Sequence, residues 1–314
     1  MTPRTQFDQI RRRLEERIDQ AWALSCWKIG NRQPVEQFDG DPRFALVVVN
    51  FSTTRFLKLM LLTLAEQRPL DLLKKIVIVD NHSLDGGVRF LRALASRVDR
   101  IALVENRAFL SHARGMRRGL ALLDTLETNL DEKQRINIVV SCDTDVVFRR
   151  DDTLTDLAEL FVRQGAALAG ELRVGNYPYP EAQASFIAVR RDCYARQDIA
   201  PWVNHGAPAY WMQRSIWQAG LAVLDFPSNR AGYILHRGRS GVAAARTFLP
   251  SSSYSSIENN EAHYMGVQDG AKIWNEIETR WAHLLRPEAE ESLITHLVEQ
   301  YSRSKSSCPS LLAS

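Results

Sequence analysis

The sequence is poor in cysteine, and what it has is scattered: Cys26, Cys142, Cys193 and Cys308 form no C-x-x-C pair. Such spacing suggests neither a disulfide framework nor a zinc knuckle, and it fits a reducing compartment. Long hydrophobic runs are missing, since none approaches the roughly 18 uninterrupted apolar residues of a membrane span. The N-terminal stretch lacks the apolar core of a secretory signal and leads instead into Arg11-Arg12-Arg13. A cytoplasmic protein is the expectation. An excess of one charge is absent too: 40 basic against 37 acidic residues leave +3. That balance argues against a nucleic-acid partner, although a local basic patch could still hold a small anion. No internal repeat is visible, and no G-x-G-x-x-G follows the first apolar run, which disfavours nicotinamide chemistry.

What is present is ordinary for a globular chain. Apolar residues make up 45% and charged residues 25%, which excludes intrinsic disorder and collagen-like or disulfide-scaffold classes. At about 100–200 residues per domain, a chain of this length forms one large domain or two modest ones. Phe7, Ile10, Leu14, Ile18, Ala21 and Trp22 recur at helical spacing, with charges between them. This helix is expected to pack its stripe on the main body or on a second subunit; a basic helix lying on a membrane surface is the alternative. The stretch around Gly30–Pro42 reads as a linker.

From Phe44 the pattern changes. Strands at 44–49, 75–79, 101–105 and 136–141, the first, second and fourth of buried type, alternate with helices at 53–67, 87–97 and 112–126. This alternation predicts a right-handed parallel α/β sheet, whose ligands sit beyond the carboxyl ends of the strands. Further on, a helix is expected at 153–164, strands near 166–172 and 185–190, a helix at 210–219 and strands at 221–225 and 232–236. The segment 175–180 (GNYPYP) must be a loop, and 287–301 reads as a closing helix with Pro287 in its first turn.

The most telling segment is Val139-Val140-Ser141-Cys142-Asp143-Thr144-Asp145-Val146-Val147-Phe148. A buried strand delivers two carboxylates with one residue between them. Two such groups repel and are costly to desolvate unless a cation compensates them. Hard oxygen ligands suit Mg²⁺ or Mn²⁺, which would bridge a ligand's phosphates; the plain alternative is that both aspartates merely cap the next turn.

Four motifs stand at strand ends in a definite order: VVVNFS at 47–52, IVDNHSLDG at 78–86, VENRAF at 104–109 and CDTDVVF at 142–148. Over about residues 44–150 the chain resembles the GT-A glycosyltransferases, most closely the large inverting family 2. The resemblance implies a mostly parallel, Rossmann-like GT-A sheet flanked by helices, with an N-terminal helix and a C-terminal helical extension. Taken with the patterns above, the expected organisation is 1–42 as helix and linker, 43–250 as the transferase domain (nucleotide half 43–150, acceptor half 151–250), 251–301 as C-terminal loop and helices, and the Ser-rich 302–314 as a disordered tail. Carried over position by position, the resemblance implies that Asp80 bonds the nucleotide base with Asn50 and Phe51 beside it. Asn81 and Asp85 would shape that loop, Asp143 would contact ribose or donor sugar, and Asp145 would hold the metal. Ala108 stands where the family usually has Gly, and Arg114 where it often has Asn; Arg107 or Arg114 could compensate at phosphate.

Tyr233-Ile234-Leu235-His236-Arg237-Gly238-Arg239-Ser240-Gly241 resembles the family's late strand ending in a metal-completing histidine, before a Gly/Ser-rich loop. His236 would join Asp143 and Asp145 as a ligand, while Arg237, Arg239 and Arg246 offer charge to a departing nucleoside diphosphate. The catalytic base is harder to place. No Asp or Glu lies between Ile199 and Leu224, where inverting members usually carry one. Either His205 or Asp198 serves, or the enzyme retains configuration, or the chain binds a nucleotide sugar without turning it over. Trp202, Tyr210, Trp211 and Trp217 suit either a sugar platform or helix packing. Residues 263–270 are expected as a loop at the site mouth.

The expectation is thus a Mn²⁺- or Mg²⁺-dependent transfer from a nucleotide-diphosphate sugar, UDP-linked, to an acceptor hydroxyl in polysaccharide or glycoconjugate synthesis. Rivals are a catalytically silent nucleotide-sugar scaffold and a sugar nucleotidyltransferase, though the latter would carry a G-x-G-T-R loop where residues 50–55 read NFSTTR. The N-terminal helix is expected to make a homodimer or a peripheral contact with the inner face of the membrane.

Overall fold

The computed structural model describes residues 3–29, 38, 40–175, 179–204, 207–250 and 261–302. Chain order runs α1 (Pro3–Ile29), β1 (Phe44–Asn50), α2 (Thr54–Leu64), β2 (Leu73–Asp80), α3 (Val88–Ala95), β3 (Ile101–Glu105), α4 (His112–Leu126), β4 (Ile138–Cys142), β5 (Val146–Phe148) and α5 (Thr153–Val162). Then come β6 (Leu168–Leu172), β7 (Ala182–Arg190), α6 (Arg191–Tyr194), α7 (Tyr210–Gln218), β8 (Val223–Asp225), β9 (Ile234–His236), α8 (Ser240–Phe248), α9 (Gly270–Leu285) and α10 (Glu290–Ser302).

Seven strands form one sheet in the order β3-β2-β1-β4-β7-β6-β8. β3, β2, β1 and β4 run parallel, β7 is antiparallel to both β4 and β6, and β8 is parallel to β6. The expected mixed α/β class with a mostly parallel, helix-flanked sheet is the one observed. Alternation along β1 explains why both faces are covered. Phe44, Leu46 and Val48 enter one buried cluster with residues of α2, α3 and α10, while Ala45 and Val47 enter another with residues of α4, α6 and α7.

α4 approaches the sheet closely because it carries glycines on its inner face. A Cβ on Gly115 would lie 2.8 Å from Val49 Cγ1, and one on Gly119 2.7 Å from Val47 Cγ1. Val47 is β-branched and fully buried, so it cannot yield. The substitution Gly119→Val is therefore expected to destabilise the protein by about 2 kcal/mol in urea denaturation, overpacking outweighing the gain in helix propensity; an unchanged midpoint would contradict this packing.

Several boundaries differ from the sequence reading. The segment after Arg239 is α8 rather than a loop: Gly238 and Arg239 turn with positive φ, and an alanine-rich stretch then winds into helix. α9 is one of the helices expected over 251–301, with a range now defined: Ile273, Trp274, Ile277 and Trp281 recur at helical spacing and pack with Leu59, Val147 and Leu235. The closing helix begins with a 3-10 turn at Pro287–Ala289. α9 and α10 belong to the main core, the Tyr301 hydroxyl donating to the Leu61 carbonyl at 2.8 Å.

The largest correction concerns α1. Its apolar stripe does not pack on the body: Ile10, Leu14, Ile18 and Trp22 are exposed, and Asp19, Ala23 and Cys26 are buried instead. The cause is electrostatic and steric. Glu15 meets Arg114 at 2.9 Å and Asp19 meets Arg117 at 3.1 Å, both arginines on α4. Small Ala23 and Cys26 let the helix settle against Ala200, Val203 and Trp211.

Candidate active site

The parallel strands end together, and their last residues carry the polar groups. Asn50 and Asp80 stand in register, as do Asp80 and Glu105. Asn50 is wholly buried and acts as a hub. Its amide nitrogen donates toward Thr54 Oγ1 (3.2 Å), Asp80 Oδ1 (3.1 Å) and Ser83 Oγ (3.0 Å), and its carbonyl accepts from the Thr53 hydroxyl at 2.9 Å. Asp80 Oδ2 accepts the Ser83 amide at 3.1 Å, so this carboxylate is built into the loop. Asn81 ties the β2 and β3 loops together, donating to the Leu110 carbonyl at 2.7 Å and accepting from Asn106 at 2.9 Å. Asp85 accepts the Thr54 amide (2.9 Å) at the start of α2 and the Gly87 amide (3.1 Å). Phe51 packs edge-on against Phe109, ring centres 4.5 Å apart, over Ala244 and Ala245 of α8. The expected nucleotide loop is thus one connected network.

Beside it, β4 delivers Asp143, whose amide donates to the Ser185 carbonyl at 2.9 Å. Thr144 and Thr53 share a hydroxyl contact of 2.9 Å, joining this turn to the loop after β1. Asp145 immediately precedes β5, a strand too short to stand alone. Its antiparallel partner is β9, with Val146 opposite His236. That pairing sets the His236 imidazole against the aspartates: Nε2 lies 3.2 Å from Asp145 Oδ1 and 3.5 Å from Asp143 Oδ2.

The two carboxylates differ in setting. Asp145 is buried, and its Oδ2 accepts from the Ser240 hydroxyl (2.6 Å) and amide (3.3 Å) at the start of α8. Burial alone would raise its carboxyl, but His236 and Ser240 hold it down at about 2. Asp143 is more open; burial, with the neighbouring Asp145 charge, pushes its carboxyl up against the pull of His236 and His112. Burial disfavours a charged His236, yet the two carboxylates outweigh it and raise the imidazole. One acid is thus locked and the other faces the opening.

Support comes from further out. The Asn229 side-chain carbonyl accepts the His236 amide at 2.9 Å, and Glu171 accepts the amides of Asn229 and Arg230. His112, the first residue of α4, places Nε2 3.8 Å from Asp143 Oδ1. His263 stacks edge-on to His236 at 5.9 Å and donates its amide to the Arg237 carbonyl, so the segment expected at the site mouth is there. Gly238 turns beneath it at φ 78°, a left-handed conformation that favours glycine, with the His263 ring packed close above.

The metal proposed from sequence can be tested against this chemistry. Asp143, Asp145 and His236 each offer a ligand atom, all within 4.8 Å of one another. Two hard oxygens and one imidazole nitrogen suit a divalent cation, and like charges at this depth call for one. The residues fit.

The arginines divide. Arg237 lies over the Phe56 ring at 4.9 Å, with its backbone amide on the Asp145 carbonyl. Arg239 holds a left-handed backbone, φ 67°, and its Nε is buried without a hydrogen-bond partner. Both stand at the metal-site loop. Arg107 is exposed on the loop after β3. Arg114, by contrast, turns to Glu15 of α1 instead of toward a phosphate. Asp198 is buried with both oxygens on Arg196, at 2.9 and 2.7 Å, on the side of the fold that holds Cys26. His205 lies outside the described residues. Trp202 is core, Trp211 packs toward α1, and Tyr210 and Trp217 gather around Tyr179 at 5.7 and 6.3 Å.

Sequence reasoning missed His112, Asn229, Glu171 and Ser240. Ser240 had a signal, a hydroxyl just past the late strand, and His112 another, its place right after the E-N-R-A-F strand end. Asn229 and Glu171 had none, because they act through backbone amides.

No protein-family model and no curated protein matches the chain. Among solved structures the fold is similar to S. aureus TarS 1–349 in complex with UDP-GlcNAc, at 12% identity and a TM-score of 0.49, covering 82% of this chain and 72% of that one. TarS 1–349 alone gives 11% identity, a TM-score of 0.46 and 82% and 89% coverage. The mannosyltransferase PcManGT from Pyrobaculum calidifontis, in complex with GDP-Man and Mn²⁺, gives 15%, 0.43, and 93% and 86%. At these scores the chemistry rests on the side chains described above.

Proposed function

We propose that the chain is a divalent-metal-dependent glycosyltransferase that takes a nucleotide-diphosphate sugar, UDP-linked, and passes its sugar to an acceptor hydroxyl. The observation that carries this reading is the convergence of Asp143, Asp145 and His236 beside a polar loop network at the carboxyl ends of parallel strands.

Asp143, Asp145 and His236 would hold Mn²⁺ or Mg²⁺, which when bound neutralises diphosphate charge and so eases departure of the leaving group. The rest falls to the protein's own groups. The loop built on Asn50, Asp80, Asn81 and Asp85 seats the nucleoside, with Phe51 and Phe109 as its apolar wall. Ser240 keeps the Asp145 carboxylate in one orientation, and Asn229 keeps the β9 end in place. Arg237 and Arg239 bring positive charge where the diphosphate accumulates negative charge, and the unpartnered Nε of Arg239 is a donor awaiting an acceptor.

Asp198 keeps both oxygens on Arg196, which favours one second reading, a scaffold that binds nucleotide sugars without turning them over. Release of UDP from a panel of UDP-sugars, with Mn²⁺ and after chelation, separates the two. Turnover that chelation abolishes and Mn²⁺ restores is expected. Metal-dependent binding with no release would establish the scaffold, and metal-independent binding would defeat both.

A further inference from the structure

Among the described residues, ten large apolar side chains are exposed, and five of them (Ile10, Leu14, Ile18, Trp22 and Leu24) lie on α1. A soluble surface scatters such residues singly; a concentration on one helix marks a contact. Ile10, Leu14 and Ile18 follow one another at one-turn spacing, so they form a continuous ridge. The ridge cannot roll inward. Glu15 and Asp19 are fixed to Arg114 and Arg117, Asp19 also accepts the Asn204 amide at 2.8 Å, and Ala23 and Cys26 are packed.

This anchoring also changes the helix's charge. Its sequence holds six basic residues (Arg4, Arg11, Arg12, Arg13, Arg17, Lys28) and four acidic ones (Asp8, Glu15, Glu16, Asp19). Glu15 and Asp19 are already spent on α4. The helix is basic by sequence, its two inward acids are neutralised by α4, and Arg13 and Arg17 are exposed beside an outward ridge that is apolar. Among the described residues no helix is long and apolar enough to cross a bilayer.

We propose that α1 is an anionic-membrane docking surface, lying in the lipid interface with the Ile10–Leu14–Ile18 ridge immersed and Arg13 and Arg17 at the headgroup phosphates. Lipid is favoured over a second copy of this chain, because apposing two such helices would set one positive surplus against the other, whereas anionic headgroups neutralise it.

The test is flotation of the full chain with vesicles of phosphatidylglycerol and, separately, of phosphatidylcholine. Binding to phosphatidylglycerol, weakening as salt is raised, is expected. Leu14→Glu with Ile18→Glu should reduce the bound fraction about tenfold or more. Arg13→Gln with Arg17→Gln should also weaken binding and flatten its salt dependence. All four positions are exposed, so thermal midpoints should stay at the parent value, which shows that the variants fold. No binding to phosphatidylglycerol, equal binding to phosphatidylcholine, or a solution dimer that the Leu14→Glu and Ile18→Glu pair dissociates would each overturn the proposal.

Discussion

Asp145→Asn is expected to lower metal-dependent turnover about a thousandfold or more, and Mn²⁺-dependent UDP binding should fall with it. The substitution keeps the shape of the side chain but removes the charge, and puts an amide among neighbours already arranged around a carboxylate. The Ser240 hydroxyl and amide donate to Asp145, and His236 leans on its other oxygen. Asp143→Asn should be milder on structure, because Asp143 is the more open of the two, yet comparable on metal binding. Isothermal titration of Mn²⁺ with UDP, alongside UDP release, checks both. Full metal-dependent binding in Asp145→Asn would remove the basis of the proposed function.

The same residue makes an acid-stability prediction for the metal-free protein. Burial raises the Asp145 carboxyl, but His236 and Ser240 more than offset it and bring it to about 2, below its ordinary 3.8. A depressed folded value means that its ionised form stabilises the fold above about pH 4, and that this stability is lost as pH falls toward 2. Denaturant midpoints followed from neutral pH into that window should drop more steeply for the parent chain than for Asp145→Asn.

Asn50→Ala should cost about 2 kcal/mol in urea denaturation and weaken nucleotide binding by about tenfold. Asn50 is wholly buried and serves four partners on three segments. Without it the Asp80 carboxylate loses a donor in a place where water does not replace it, and the hydroxyls of Ser83 and Thr53 are left to re-pair. Wild-type stability with weakened binding would mean that Asn50 acts on the ligand alone; wild-type values for both would show that the network does not hold the loop.

Much of this was legible in the chain itself. The run from Phe44 to Cys142 announces four strands and the helices between them, because strands covered on both faces, as β1 and β4 are, must be apolar along their length, and polar residues then fall at the ends. Asn50, Asp80 and Asp143 could be placed at strand ends on that ground, and the expected closeness of His236 to the aspartate pair is what the geometry shows. β5 and β9, with three residues each, carry too short a pattern for their pairing to be read from periodicity. α8 was obscured by Ser240 and Gly241, which open it.

The sequence by itself determined the α/β class, the alternation of the central strands with helices and the pair of acids at a strand's end, since each follows from periodicity and local chemistry. Only the tertiary structure decided that β5 pairs with β9 and that Ser240 is seated on Asp145, that Arg114 serves α1 rather than a phosphate, and that α1 turns Glu15 and Asp19 inward and leucine and isoleucine outward. Those outcomes depend on which charges meet across distant segments: the arginines of α4 neutralise Glu15 and Asp19 once the chain is folded, and no pattern within α1 records that they are there.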